Sequence, residues 1–138
     1  MTSRVSRPVD AVRRLSTPAK LNALGLLVTA AGMLLQIAAG STLYPSLVGP
    51  IVLLGAAGVV VFAPGRLTPY IGLLVPLILG LGAIVAAVMT GGLIDQLADV
   101  GRMGIFVGSI AHVFGLIVAV VGGAGVVVAR HGAGDLEH

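Results

Sequence analysis

The longest uninterrupted apolar stretch of the chain, Met103 to Ala129, constrains the fold more than any other feature. It is about 27 residues long, and His112 is its only ionisable side chain. As a helix rising about 1.5 Å per residue it extends roughly 40 Å, which exceeds the roughly 30 Å of hydrocarbon in a bilayer. A segment of this kind is typical of a membrane-spanning helix.

The composition of the whole chain indicates the same environment. Charged residues make up 9% of the 138 residues and hydrophobic residues 57%. A water-exposed surface is about a quarter charged or more, so these residues cannot cover a soluble core. The sequence therefore predicts an all-α integral membrane protein, and its length allows one domain of about four spans.

Three further apolar spans precede the last one. Thr17-Pro18 and Thr68-Pro69 each combine a helix-capping threonine with a proline that suits the first helical position. Pro76 falls inside a span and is expected to kink it, because proline removes one backbone hydrogen bond. The predicted spans are 18–39, 46–63, 70–90 and 103–129, within a membrane domain at 17–131.

The two ends of the chain are polar. Residues 1–16 are basic and form either a surface helix from Pro8 onward or a frayed tail. The apolar run that follows resembles a secretory signal, but it is longer than an ordinary signal core, so we interpret it as the first span. Residues 132–138 are a tail, and Leu136-Glu137-His138 looks like the start of a vector-encoded histidine tag.

The loop before the fourth span is expected to hold a short helix on the membrane surface, with Asp95 and Asp99 on its polar side. We interpret these aspartates and Arg102 as solvated charges, so neither a metal site nor a cofactor is expected. Arg102 is the only basic residue on its side of the predicted bundle. The positive-inside rule then places both termini in the cytoplasm, in an antiparallel up-down bundle of the cell membrane. The basic residues on the cytoplasmic side are Arg4, Arg7, Arg13, Arg14, Lys20, Arg66 and Arg130.

Small residues recur every three or four positions on the spans, which allows neighbouring helices to approach closely. They form stripes on the first, third and fourth spans. The predicted packing positions are Gly25, Gly32, Gly72, Gly80, Gly104, Gly108 and Gly115.

Four of the polar side chains inside the predicted spans form the candidate polar interior: His112, Gln36, Ser109 and Thr29. A histidine or glutamine at membrane depth either hydrogen-bonds a neighbouring helix or lines a ligand site or proton path. The residues alone leave these alternatives open. We find no catalytic constellation among them.

Four spans in a chain of this length resemble the small multidrug resistance transporters. The resemblance implies a glutamate in the first span, and no predicted span here contains an acidic residue. The composition, rich in alanine, valine and glycine with arginine preferred to lysine, is similar to that of proteins from GC-rich bacteria.

The sequence favours a non-enzymatic membrane protein that uses its glycine-rich helix faces for binding. The expected partners are membrane lipid, an apolar small molecule, another membrane protein or a second copy of the chain. The basic residues flank apolar spans, so an anionic membrane surface rather than nucleic acid is their expected partner. The alternative is a small oligomeric transporter or channel with a path near His112 and Gln36.

Overall fold

The computed structural model describes residues 8–41, 47–63, 65–91 and 102–134, and all regular secondary structure in these ranges is helical. This confirms the all-helical class for the described part of the chain. The predicted surface helix with Asp95 and Asp99 lies outside the described residues. The helices are α1 (Pro8–Arg13), α2 (Thr17–Ala38), α3 (Val48–Phe62), α4 (Thr68–Thr90) and α5 (Met103–Gly134).

Three of these helices, α2, α4 and α5, are long and apolar enough to cross a membrane. They correspond to the first, third and fourth predicted spans. Helix α3 is equally apolar but has 15 residues. At about 1.5 Å per residue it extends roughly 22 Å, less than the hydrocarbon thickness of a bilayer.

The threonines at the starts of α2 and α4 are not the helix caps that the sequence predicts. Each is instead the first helical residue, and Ser16 is the N-cap of α2. The Thr68 hydroxyl accepts a hydrogen bond from the Gly65 N–H at 3.0 Å and donates one to the Ala63 carbonyl. Thr68 therefore stabilises the turn between α3 and α4, because its side chain points back along the chain.

Among the described helices, α2 and α5 pack most closely. Gly25 lies against Gly115 and Ala119, and Gly32 lies against Gly108. A methyl group added to Gly25 would lie 2.6 Å from the Ala119 Cα, so only glycine allows the two backbones to approach this closely. We call this contact the α2–α5 seam. As residue numbers rise along α2, the residues of α5 that they contact fall in number, so these two helices run in opposite directions.

The apolar core lies mainly between α2 and α3, and α4 packs against it from the side. Leu26 and Leu53 are fully buried at its centre. The far side of α4 has no such cover: Ile78 is 67% exposed and Val88 77%. A continuous apolar surface of this kind suits lipid rather than water. The buried core consists of Ala23, Leu26, Ala30, Met33, Leu53, Ala56, Ala57, Val60 and Ala119.

Candidate functional site

A pocket of about 710 Å³ lies at the end of the bundle where α2 and α4 begin and α3 and α5 end. This volume is within the range of sites that hold small molecules, roughly 300–1,000 Å³. Most of the lining is apolar, with Leu15, Val60 and Val126 among its side chains. Two arginines, Arg14 and Arg130, also line it, and both are exposed. We call this space the end pocket.

Asn22 is the most deeply buried polar side chain of the end pocket, with 2% of its surface exposed. Its Nδ2 donates to the Gly72 carbonyl at 2.7 Å and to the Ala119 carbonyl at 2.6 Å. One side-chain amide on α2 thus binds the backbones of both α4 and α5. Asn22 therefore joins three helices at the inner wall of the pocket.

Pro76 explains why the Gly72 carbonyl accepts this bond. In an α-helix the N–H of residue 76 donates to the carbonyl of residue 72, and proline has no N–H. Helix α4 continues through Pro76, so the Gly72 carbonyl receives its bond from Asn22 instead.

Glycines make the space that Asn22 needs. A methyl group at Gly72 would overlap the Asn22 Oδ1, and one at Gly123 would lie 3.0 Å from its Nδ2. The side chain is therefore enclosed by two glycine positions, one on α4 and one on α5. The close approach of Asn22 to both backbones depends on the absence of a Cβ at each position.

Arg130, near the end of α5, is bound to the connection between α3 and α4. Its Nη1 donates to the Gly65 carbonyl at 3.2 Å and to the Arg66 carbonyl at 3.5 Å. These bonds hold the guanidinium at the edge of the end pocket. Arg14 follows α1, where backbone turn bonds from Arg14 to Ala11 and from Leu15 to Val12 close the helix.

All four residues of the predicted polar interior are buried, and none lines the end pocket. Thr29 and Ser109 donate to the carbonyl four residues earlier in their own helices, at 2.7 and 2.8 Å. Such bonds satisfy the hydroxyl without a partner helix. His112 is 7% exposed and Gln36 is 2% exposed.

Gln36, Thr29 and His112 all lie at the α2–α5 seam. A methyl group at Gly108 would lie 2.8 Å from the Gln36 Cγ, and one at Gly115 would lie 2.7 Å from the Thr29 Oγ1. Gly32 lies against the backbone of His112. The structure therefore brings these three residues to a close-packed contact between two helices.

The seven predicted packing glycines share one geometric property. A methyl group at any of them would come within 3.0 Å of an atom outside its own helix. At Gly80 that atom is Leu116 Cδ2, at 2.6 Å, and at Gly104 it is Ala39 Cβ, at 2.9 Å. By contrast, Gly55, Gly58 and Gly82 have nothing within 4 Å of the added methyl group.

Sequence reasoning did not select Asn22 as a site residue, although a signal for it was present. The small and polar stripe on α2 runs through Gly25, Thr29 and Gly32 at steps of four and three. Three positions before Gly25, the same stripe reaches Asn22. A carboxamide on a face that packs against protein is a strong candidate for a bond between helices.

These features define the class of the protein. Long apolar helices, a small-residue seam and exposed apolar faces are those of a helical membrane protein. In the ranges that the structure describes, no three histidine, aspartate or glutamate side chains lie together as a metal site requires. Comparisons with known protein families, with curated proteins and with solved structures find no match.

Proposed function

We propose that this is a non-enzymatic, multi-pass protein of the cell membrane that binds a lipid or another apolar small molecule in the end pocket. The observation that carries the proposal is the pocket itself: about 710 Å³, with mostly apolar walls and a buried amide at its inner wall. Binding sites for small molecules combine an apolar lining with a few polar groups in this way.

The glycine-rich faces support a pocket ligand rather than one bound along the helices. On α2 and α5 these faces meet each other within one chain, as the contacts of Gly25 and Gly32 illustrate. Their small residues are used for intramolecular packing, so the space for a ligand lies beyond the seam, at the helix ends. The tight packing at Gln36 also favours this function over a transport path there.

The topology we propose for this function is an antiparallel bundle of four spans, in which α3 is the shortest. Both termini lie on the cytoplasmic side, because the basic residues concentrate at that end. In this arrangement the end pocket faces the cytoplasmic leaflet. The arginine and lysine side chains of the described residues at this end are Arg13, Arg14, Lys20, Arg66 and Arg130.

The test is to fill the end pocket and measure what remains bound. Ala129 lines the pocket and is exposed on α5, so Ala129→Trp adds volume to the pocket without disturbing the core. Native mass spectrometry of protein released from mild detergent should show a bound lipid or small molecule on the wild type. We expect Ala129→Trp to lose that mass.

The matched control is Val128→Trp. Val128 is the preceding residue on the same helix, is 71% exposed and does not line the pocket. It should retain the bound mass at the wild-type level. Equal retention by both variants would show that the ligand lies elsewhere, and a wild type with nothing bound above background would refute the proposal.

A further inference from the structure

The charged side chains among the described residues that line the end pocket are both positive. Among the described residues that line it, Arg14 and Arg130 are the only charged side chains, and the other polar side chains are the hydroxyls of Ser16 and Thr68 and the Asn22 amide. None of these carries a negative charge. Two cations beside an apolar space attract a molecule that is complementary to them, with a negatively charged head and an apolar tail.

The helix dipoles do not change this sign. The starts of α2 and α4 bring partial positive charge to the pocket, and the ends of α3, α5 and the short α1 bring partial negative charge. At about half a charge per end, the sum is roughly half a negative charge, less than the two positive charges of the arginines. The arginines therefore determine the charge of the pocket.

Arg130 lies at the rim of the pocket, where its guanidinium can bind an anion. The bonds from its Nη1 to the Gly65 and Arg66 carbonyls direct the side chain toward the connection between α3 and α4. A guanidinium has five N–H donors, more than these two carbonyls use, and its planar shape matches phosphate and carboxylate.

We propose that the ligand of the end pocket is an anionic amphiphile. Its phosphate or carboxylate head is bound between Arg14 and Arg130, and its apolar tail lies along side chains such as Leu15, Val60 and Val126. This inference rests on the proposed function, because it names the chemical class of the molecule that the same pocket binds. The head group of an anionic phospholipid and that of a fatty acid share this chemistry.

The experiment compares two pairs of charge-removing substitutions at the same end of the bundle. Arg14→Gln with Arg130→Gln removes the two pocket cations. Arg13→Gln with Lys20→Gln removes two exposed cations that do not line the pocket, and so controls for general attraction to a membrane surface. All four side chains are exposed, so both pairs should fold, which helical circular dichroism checks.

The probes are phosphatidylglycerol and phosphatidylcholine with identical acyl chains, oleate, and inorganic phosphate, each measured by native mass spectrometry. We expect the wild type to retain phosphatidylglycerol about tenfold more than phosphatidylcholine. The Arg14/Arg130 variant should lose this preference, and the Arg13/Lys20 variant should keep it within about twofold. Oleate retained with the same dependence on the pocket arginines would support a carboxylate head.

Three results would overturn the inference. Equal losses in the two charge variants would assign the preference to surface attraction. Inorganic phosphate retained as well as phosphatidylglycerol would indicate an ion site with no role for a tail. Both lipids retained equally, yet removed by Ala129→Trp, would leave the proposed function standing and the anionic class wrong. If instead no probe is retained above the Ala129→Trp level, the proposed function itself fails.

Discussion

The α2–α5 seam and the end pocket both include residues of α2 and α5, but the two regions are built in opposite ways. Along the seam, Gly25, Gly32, Gly108 and Gly115 remove side-chain volume, and the two backbones come together. At the end pocket, larger side chains such as Leu15, Val126 and Arg130 surround open space.

The difference shows that the end pocket, rather than the seam, has room for new contacts. In the seam every added atom meets a backbone atom that a rotamer change cannot move, so the contact is rigid. In the pocket an added atom meets space. Asn22 lies between these two regions, because it lines the pocket and binds the backbones of α4 and α5.

The largest effect is expected from adding a single methyl group to the seam. Gly25→Ala places a Cβ 2.7 Å from the Gly115 carbonyl oxygen and closer still to the Ala119 nitrogen. The helices must separate, so we expect the free energy of unfolding in detergent to fall by about 3 kcal/mol.

The control for that substitution is Gly55→Ala. Gly55 is an exposed position on α3 with nothing within 4 Å of the added methyl group. It should be neutral or stabilise the helix by about 0.5–1 kcal/mol, since alanine has the higher helix propensity. If the two substitutions cost the same, the seam is not the close contact described above.

A smaller effect is expected at the boundary between the two regions. Asn22→Ala removes both bonds from the Asn22 amide and leaves the Gly72 carbonyl without a donor, at a cost of about 1–2 kcal/mol. Pro76→Ala supplies a backbone N–H four residues after Gly72. In that background the cost of Asn22→Ala should be about half as large, because the Ala119 bond alone is lost.

The measurement is a double-mutant cycle on the unfolding free energy. A coupling of zero between the two positions would show that Pro76 does not make the Gly72 carbonyl available. Asn22→Asp sharpens the comparison further. Its carboxylate cannot donate to either carbonyl, so it should destabilise the protein more than alanine does.

The seam and the pocket also differ in how far the sequence predicts them. The stripe from Gly25 to Gln36 is local, and a period of three and four residues identifies one helical face directly. The helix that packs against this face cannot be identified from the local sequence, because the contact is long-range: Asn22 donates a hydrogen bond to Ala119, 97 positions away. Pro76 was predicted to disturb α4, but its effect on Gly72 appears only once α2 is placed beside it.

The end pocket is even harder to predict from the sequence than the partner of the seam. It is formed where four helices begin or end, so it depends on their relative lengths and on α1, which contributes Ala11 to the lining. Arg14 and Arg130 were predicted only as membrane-surface charges. Their approach to one pocket follows from tertiary structure, because 116 positions of chain separate them.

The smallest effect is expected at His112, the residue that the sequence singles out most clearly. It lies in the seam, and Gly123, the nearest pocket residue of α5, is about 16 Å further along the helix at roughly 1.5 Å per residue. His112→Ala should therefore change the lipid retained in native mass spectrometry by less than about twofold. Ala129→Trp, in the same experiment, should remove the bound lipid.

Loss of the bound mass in His112→Ala, with the helical content unchanged, would mean that the ligand reaches into the seam. The two regions would then be one site, and the path near His112 and Gln36 would become the better account of the function.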